Sequence, residues 1–468
     1  MLFNSLEFAV FIVLLLGLYF SIPAPYDRVR KLLLLFASYL FYGSWNPYFT
    51  LLLLGSTLLD FNVGLRMAAA RSLSRRRALL LISLAGNLGV LGFFKYGGFF
   101  ADQAYAIAGF FSPGVSAPPS WDILLPVGIS FYTFQTLSYS IDVYRGEQKV
   151  CPSFLDFALF VSFFPQLVAG PIVRSREFLP QLEERRVVLP NAVELALVRI
   201  AIGLFKKVVL ADTLGAYVDV VFDYPKSFGT LNILLAVYGY AYQIYFDFSG
   251  YSDIAIGLAA LFGFHIPENF DRPYLSANPR EFWQRWHISL SSWLRDYLYI
   301  SLGGNRLGGV RTYFNLAVTM LLGGLWHGAS WNFVVWGAIH GLWLALHRLL
   351  TRGRAVSEDS RARRIVKQFL TFQMVCFAWV FFRAPDFGTA AGIFRRLFVW
   401  QINIHSSAEI ALVCLLASVA FHLAEAPLPL RERVGRLPPV VQGVGYAAVV
   451  VLVFLFSSGS ARFIYFQF

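Results

Sequence analysis

The sequence predicts an all-α integral membrane protein whose chain crosses a lipid bilayer many times. Of its 468 residues, 57% are hydrophobic and only 14% are charged, and the apolar residues recur in long blocks. Soluble domains are typically about 45–50% apolar and about 25% charged. Many blocks approach the roughly 20 residues with which an α-helix crosses about 30 Å of hydrocarbon. We predict about eleven to thirteen membrane helices, with re-entrant or interfacial helices where a block is short, in one domain over residues 1–468.

The positive charge of the chain indicates membrane topology rather than nucleic-acid binding. The formal net charge is +12, and the basic residues lie in short runs between apolar blocks, where cytoplasmic loops collect Lys and Arg. Two such runs, Tyr26–Lys31 and Arg71–Arg77, are separated by two predicted membrane segments and therefore lie on the same side. The positive-inside rule makes both runs cytoplasmic and predicts an external N-terminus.

One long polar stretch, Ile266–Arg311, interrupts the succession of apolar blocks and is rich in aromatic residues. Its central part, Glu281–Tyr297, has the period of a helix. The residues that share one helical face are Trp283, Trp286, Leu290, Trp293, Leu294 and Tyr297. This pattern predicts a single amphipathic helix at or within the membrane interface, with its tryptophans at headgroup level.

His327 is the residue best placed for chemistry, because it directly follows an apolar block in Leu321–Ser330. Polar side chains at membrane depth are costly and often functional. The flanking Gly324 and Gly328 have no side chains, so we expect them to let a substrate approach the ring. A histidine can accept the proton of a hydroxyl near neutral pH. The alternative is a packed histidine hydrogen-bonded to a neighbouring carbonyl.

The other histidines give weaker signals. His287 lies at the edge of the aromatic face and either activates a substrate or hydrogen-bonds a neighbour. If one helix extends from His327 to Leu349, then His340 and His347 lie on the face opposite His327, which favours structural roles. Three histidines are predicted to lie in loops or at interfaces: His265, His405 and His422.

Two acidic residues, Asp247 and Asp253, lie in an otherwise apolar context and need partners or water. Gly250 separates two predicted membrane segments here, Leu231–Phe248 and Tyr251–Phe264. The two carboxylates therefore pair with arginine, cap a helix break at Gly250, or line a polar cavity. Further along the chain, a Gly-x-x-x-Gly pair at positions 337 and 341 is typical of close helix packing.

Several common enzyme signatures are absent from the sequence. It has no Gly-x-Ser-x-Gly elbow, Walker loop or His-Glu-x-x-His helix, which disfavours hydrolase, ATPase and metalloprotease functions. The three cysteines are too few and too scattered for a disulfide framework or a metal site. We predict no bound metal and no bound cofactor.

Two blocks, Glu281–Arg306 and Met320–Ala329, resemble the membrane-bound O-acyltransferase family. Four shorter pieces agree with the resemblance: Leu125–Tyr132, Ala169–Pro171, Tyr245–Asp253 and Phe377–Ala384. The resemblance covers nearly the whole chain. It implies a multi-helix enzyme around a central funnel, in which His327 matches the catalytic histidine of the family and His287 matches a second important residue.

The resemblance also implies a reaction and its participants. It implies that an acetyl group moves from a cytoplasmic thioester donor such as acetyl-CoA towards the hydroxyls of an exported polysaccharide such as alginate. A histidine acts as the general base, and a periplasmic acetyltransferase acts as the partner protein. The expected location is the bacterial inner membrane among its lipids, with a periplasmic N-terminus and no nucleic-acid partner.

Seven residues of the matching blocks are candidates for substrate binding: Asp253, Arg285, Trp286, Arg295, Asn305, Arg306 and Trp326. The arginines have an ordinary alternative role, since long basic side chains also reach towards lipid headgroups. Other functions stay open from the sequence. The same chemistry suits O-acetylation of peptidoglycan or cellulose, or D-alanyl transfer to teichoic acid. A transporter of acyl groups or lipids, or a scaffold for polysaccharide secretion, would have no acyl-CoA turnover.

Overall fold

The computed structural model describes residues 1–112, 123–184, 188–353, 359–399, 407–425 and 433–456. Within these ranges the chain forms helices and no strand, which confirms the all-α prediction. The described chain divides into two compact units. The first unit contains Met1–Val188 and Phe262–Pro267, and the second contains Leu189–Leu261 and Glu268–Phe468.

The first unit contains nine helices among the described residues, some of which begin at a side-chain cap or a proline. They are α1 (Leu6–Ser21), α2 (Asp27–Gly43), α3 (Phe49–Ala69), α4 (Leu73–Leu91), α5 (Gly97–Phe111), α6 (Ile129–Arg145), α7 (Phe154–Ser162), α8 (Phe164–Leu167) and α9 (Ser175–Glu183). Ser72 caps α4 and Ser153 caps α7, each through its side-chain oxygen. The predicted segment Phe154–Val168 is divided in two at Phe163, because α8 begins anew with Pro165 in its first turn.

A buried carboxylate connects three helices of the first unit. Asp60 of α3 accepts hydrogen bonds from Ser83 and from Asn87 (2.7 Å) of α4, and from Ser140 (2.7 Å) of α6. Asp60 and its partners are buried. Since a buried polar group is costly unless it is hydrogen-bonded, this network fixes how the three helices face one another.

The second unit contains the two histidine blocks. Its helices are α10 (Pro190–Leu204), α11 (Asp212–Asp223), α12 (Thr230–Leu261), α13 (Pro279–Arg285), α14 (Ile288–Trp293), α15 (Gly309–His327), α16 (Trp331–Thr351), α17 (Arg361–Arg383), α18 (Phe387–Arg396), α19 (Ala408–Ala424) and α20 (Pro439–Phe456). Short π-helical turns follow α10 at Phe205–Ala211 and α14 at Leu294–Tyr299. Its core is formed mainly by aromatic and branched side chains of α11, α12, α16 and α17.

The predicted helix break at Gly250 is wrong, because α12 continues through this residue for 32 residues in all. Gly250 instead allows the backbones of α10 and α12 to touch. A Cβ atom at Gly250 would lie 2.7 Å from the carbonyl oxygen of Gly203, and a Cβ at Gly203 would lie 2.6 Å from the carbonyl oxygen of Gly250. The glycine therefore serves close packing rather than a turn.

Two continuous helices expected around the histidines are also interrupted. The amphipathic helix predicted over Glu281–Tyr297 ends at Arg285, and a new helix begins at Ile288 after a left-handed residue, His287. Likewise, α15 ends at His327 and α16 begins at Trp331, so no single helix extends from His327 to Leu349. Each histidine thus lies at the end of a helix.

Within the part of the chain that the structure describes, five helical stretches are long and apolar enough to cross a membrane, or up to six if the bent pair α1 and α2 is counted as one span. The five are Phe49–Ala69, Leu73–Phe111, Trp331–Thr351, Arg361–Arg383 and Pro439–Phe456. These stretches support a polytopic membrane protein. The number is smaller than the eleven to thirteen that we predict. Some apolar helices are short, such as the 17 residues of α19, and longer ones such as α12, with 32 residues, are not apolar enough.

The Gly203–Gly250 contact leads to a prediction about stability. Gly250→Ala places a methyl group against the backbone of α10, and such overpacking typically costs about 1–3 kcal/mol. We expect this variant to lower the midpoint of thermal unfolding of the purified protein in detergent. The control is Gly443→Ala in α20, where an added Cβ meets no atom within 4 Å. Equal midpoints for the two variants would show that the contact does not constrain the fold.

Candidate active site

His287 lies between α13 and α14 in a left-handed backbone conformation, with φ of 43° and ψ of 57°. This conformation costs a non-glycine residue about 1–2 kcal/mol, so the surrounding structure must hold it. The imidazole is fully buried. Its ring contacts Phe248 of α12, with a centroid distance of 4.6 Å, and Trp326, at 5.8 Å. His287 lies outside the spanning helices, and burial lowers its pKa to about 3, which keeps the ring neutral.

Asn269 holds the chain immediately after His287. Its backbone carbonyl accepts a hydrogen bond from the amide of Ile288 at 2.9 Å. Its side-chain Oδ1 accepts from the hydroxyl of Ser289 at 2.8 Å and from the Ser289 amide at 3.4 Å. Its Nδ2 donates to the hydroxyl of Ser252 in α12 at 3.2 Å. Since Asn269 is only 1% exposed, these bonds have no competition from water and fix the strained turn.

His327 is the last residue of α15, and the packing of α15 against α16 determines its position. A Cβ at Gly324 would lie 2.2 Å from the carbonyl oxygen of Phe333, and one at Gly328 would lie 2.3 Å from the Phe333 ring. A Cβ at Gly337 would lie 2.3 Å from the carbonyl oxygen of Met320, which confirms close helix packing at this glycine. Neither Gly324 nor Gly328 has space beside it, so the expectation that they open a passage to the ring is wrong.

Aromatic rings surround His327 and join it to His287. Trp326, Trp336 and Phe382 lie with their ring centroids 5.0–5.1 Å from that of His327. Trp326 contacts both histidines and therefore connects them. We call His287, His327 and these three aromatic residues the histidine cluster. His327 is 3% exposed, so the surrounding rings close off its imidazole from solvent.

The structure places the predicted substrate-binding residues in different surroundings. Trp326 belongs to the histidine cluster. Trp286 is fully buried, and its ring centroid lies 5.0 Å from that of Trp379. The Trp379 ring stacks on that of Trp336 at a centroid distance of 5.7 Å. Asp253 lines a separate polar cavity. The remaining four lie outside the cluster: Arg285 pairs with Glu281 at 2.9 Å, Arg295 pairs with Asp296 at 2.6 Å, and Asn305 and Arg306 are exposed.

The polar cavity has a volume of about 360 Å³ and lies within the second unit. Charged residues from α10, α12 and the segment before α13 contribute to its wall, among them Arg199, Asp253 and Glu268. Asn269 and Phe270 also line the cavity. These two residues therefore separate it from His287, because Asn269 binds the turn after His287 and the ring of Phe270 stacks on His287 at 6.4 Å.

Sequence reasoning missed several members of this region. His340 is buried and contacts Trp336 at 4.8 Å, although the assumed continuous helix placed it opposite His327. His422 is buried in α19 beside Tyr245, at 5.0 Å, and is not in a loop. His265 is exposed, and His405 lies outside the described residues. Trp379 lies in Phe377–Ala384, one of the pieces that resemble the family, so the sequence could have indicated it as a site residue. No local sequence pattern indicates Asn269.

Comparison with known proteins decides the family. A profile of the membrane-bound O-acyltransferase family matches residues 145–387, which is more than half of the chain and includes both histidines. The chain belongs to the membrane-bound O-acyltransferase family. The resemblance of the two histidine blocks is thereby confirmed, and the chain is a multi-pass membrane protein with acyltransferase activity.

Relatives within this family cover most of the chain. A protein named probable alginate O-acetylase in Pseudomonas aeruginosa is 44% identical over 408 residues, which are 86% of this chain and 76% of the relative. One with the same description in Azotobacter vinelandii is 45% identical over 416 residues, 88% of this chain and 81% of the relative. A peptidoglycan O-acetyltransferase of Helicobacter pylori is 37% identical over 393 residues, 78% of this chain and 73% of the relative.

The hydrogen bonds of Asn269 lead to a prediction about activity. Asn269→Ala removes the acceptor of Ser289 and the donor to Ser252, and a lost buried hydrogen bond costs about 1–3 kcal/mol. Since the loss of these bonds frees the turn that holds the imidazole of His287 beside Trp326, we expect the turnover number for acyl transfer to fall about ten- to a hundredfold with little change in KM.

The matched control is Asn232→Ala, which removes another buried asparagine of the second unit, one that binds Tyr217 at 2.9 Å. We expect Asn232→Ala to lower the thermal unfolding midpoint but to leave the turnover number for acyl transfer unchanged. If both variants lose stability equally and neither loses turnover, Asn269 has only a structural role.

Proposed function

We propose that this membrane O-acyltransferase moves an acetyl group from acetyl-CoA, or another cytoplasmic acyl thioester, towards hydroxyls of an exported polysaccharide such as alginate. The observation that carries the proposal is the histidine cluster. Two buried imidazoles, each at a helix end, contact the same indole ring of Trp326. Side chains that packing holds in one orientation, away from water, are suited to proton transfer. They do not have to reorient during the reaction, and water does not compete for their hydrogen bonds.

His327 is the proposed general base. Its imidazole accepts the proton of an acceptor hydroxyl, and the hydroxyl oxygen attacks the thioester carbonyl. The tetrahedral intermediate then expels the thiolate, which takes the proton back from the imidazolium as the carbon–sulfur bond breaks. The buried surroundings strengthen each of these polar interactions and exclude water, which would otherwise hydrolyse the thioester.

His287 is the proposed second member of the pair. The neutral ring offers one N–H donor and one acceptor, so it can donate a hydrogen bond to an oxygen on which negative charge develops. The strained turn and the Asn269 hydrogen bonds support this role, because a donor stabilises a transition state best when its direction is fixed beforehand. Among the predicted binding residues, Trp286 and Trp326 are the ones next to the histidines.

The proposed acceptor rests on the names of the relatives, and the proposed donor, location and partner rest on the resemblance of the histidine blocks. The relatives are named probable alginate O-acetylases and a peptidoglycan O-acetyltransferase. We therefore propose the bacterial inner membrane as the location, a periplasmic N-terminus, and a periplasmic acetyltransferase as the partner that receives the acetyl group. Peptidoglycan, cellulose and, with a D-alanyl group, teichoic acid are the alternative acceptors.

The direct test of the mechanism is His327→Ala. We expect the purified variant to consume acetyl-CoA at least about a thousandfold more slowly, since a general base typically contributes 10²–10⁴-fold and the variant also loses positioning. Mass spectrometry of the exopolysaccharide from cells with the variant gene should show no acetyl ester. The control is His347→Ala, a half-buried histidine of α16 outside the histidine cluster, which should leave both readings unchanged.

Thermal unfolding of both variants separates chemistry from folding. An inactive His327→Ala protein with the wild-type unfolding midpoint supports the proposed base. Full turnover by this variant would reject it, and an acetylated polymer other than alginate would correct the acceptor but not the base.

A further inference from the structure

We propose that the polar cavity beside the histidine cluster is a binding site for a primary ammonium group, carried by a small amine or by the headgroup of a membrane lipid. The cavity is large enough for a ligand, because pockets for small molecules typically begin at about 300 Å³. Its volume of about 360 Å³ far exceeds what a bare metal ion would fill. The proposal concerns a second site and does not depend on the role of His327.

The charges around the cavity favour a cation. Its lining contains three basic side chains and four acidic ones, namely Arg199, Lys206 and Arg272, and Asp253, Glu268, Asp271 and Glu425. The cavity wall therefore has a formal charge of −1 in a protein whose net charge is +12. The excess negative charge comes from the more exposed acidic groups, Glu268 (42% exposed) and Asp271 (50% exposed), so water screens it in part. It still attracts a guest with one positive charge and repels an anion.

Two of the three basic groups of the wall, Arg199 and Lys206, each bind two carboxylates, so they are poorly placed to bind an anion. The third, Arg272, donates from Nε to Asp271 at 2.8 Å. Arg199 donates to Asp253 at 2.9 Å from Nε and to Glu268 at 2.8 Å from Nη1, and its Nη2 binds both carboxylates. Lys206 donates to Asp253 at 2.9 Å and to Glu425 at 2.8 Å. Four of the five N–H groups of Arg199 are thus used, whereas a carboxylate has about four acceptor positions. The wall consequently accepts more hydrogen bonds than it can donate.

An independent observation, the hydroxyl of Ser249, indicates that a polar guest belongs in the cavity. Ser249 lines the cavity, is only 4% exposed, and its Oγ has no hydrogen-bond partner among the described residues. Buried hydroxyl groups are nearly always hydrogen-bonded, so a partner is expected from a guest. An ammonium group has three N–H donors, which match the Ser249 hydroxyl and two carboxylates such as Asp253 and Glu425.

Two aromatic rings complete the site. Tyr245 and Phe270 line the same cavity, and aromatic faces attract organic cations within about 6 Å. Tyr245 also donates to Glu425 at 3.3 Å, which orients that carboxylate. The combination of carboxylates, a hydroxyl and aromatic faces matches an alkylammonium better than an inorganic cation, which needs a closer shell of oxygen ligands.

The test measures binding of three small probes to the purified full-length protein in detergent by saturation-transfer NMR. The probes are ethylammonium, ethanol and acetate, which have similar size and positive, zero and negative charge. We expect ethylammonium to bind at least tenfold more tightly than ethanol, and acetate not to bind. Reconstitution into nanodiscs with ethanolamine or glycerol headgroups, followed by native mass spectrometry, distinguishes a lipid source from a free amine.

Two substitutions of cavity residues, Ser249→Ala and Glu425→Gln, and one control substitution test whether ethylammonium binds in the cavity. Ser249→Ala removes no internal hydrogen bond, so the fold should persist while ethylammonium affinity falls at least threefold. Ser276→Ala is the matched control, since Ser276 is another buried serine of the second unit whose Oγ has no partner among the described residues, and it lies outside the cavity lining. Glu425→Gln should reduce the affinity at least tenfold.

The possible outcomes are decisive. Ethylammonium binding that Ser249→Ala weakens and Ser276→Ala does not would support the site, whether the natural guest is a lipid or a free amine. Three outcomes would overturn the proposal. The protein could bind ethylammonium and acetate with equal affinity, it could bind neither ethylammonium nor the ethanolamine lipid, or the two serine variants could have equal effects on ethylammonium affinity. Acetyl-CoA turnover is measured in parallel, and its presence or absence bears only on the histidine mechanism.

Discussion

The backbone contact between α15 and α16 is the constraint on which the candidate active site depends. A Cβ at Gly324 would lie 3.2 Å from the Cα of Gly337, so the two helices touch without side chains between them. This close approach brings Trp336 of α16 against His327 at the end of α15. It also explains why α15 stops there, since Gly328 adopts an extended conformation and Phe333 occupies the space beside it. The helix pair thus places the imidazole among the aromatic rings.

The second histidine is positioned by a different physical means. Hydrogen bonds that Ile288 and Ser289 donate to Asn269, a residue distant in sequence, hold the strained turn at His287. Strain of this kind persists only where the surroundings over-determine it, and such positions concentrate at functional sites. The two histidines are therefore fixed by independent parts of the fold, the helix pair and the Asn269 segment, and they meet at Trp326. Independent fixation limits how far either ring can move relative to the other.

The sequence predicts the helices and the histidine blocks well because both depend on local patterns. Long apolar blocks indicate membrane helices, and His327 stands out because it directly follows one of them. The break at His287 could not be predicted, because the aromatic period continues across it and the hydrogen bonds that cause it come from Asn269, 18 positions earlier. Similarly, Gly250 is equally compatible with a helix break and with close packing, and only its contact with Gly203 distinguishes them.

The partners of buried charges were likewise beyond sequence reasoning. Asp253 was expected to pair with a basic residue or to line a cavity, and it does both, but nothing local identifies Arg199 and Lys206 as its partners. The result is a division of the second unit into an aromatic region around the histidines and a charged region around the cavity. Ion pairs close to an imidazole bias its protonation, so this division suits the proton transfer that we propose for the histidines.

One side chain belongs to both regions. Asn269 lines the charged cavity, donates to Ser252 in α12, and accepts from Ser289 beside His287. Its amide group is planar, so its oxygen and nitrogen turn together, and a rotation that follows one partner disturbs the hydrogen bond to the other. A displacement of Ser252 therefore reaches the turn at His287 through a single rigid group. The geometry of the candidate active site is in this way tied to the packing of the cavity wall, even though the two regions share no ion pair among the residues that the structure describes.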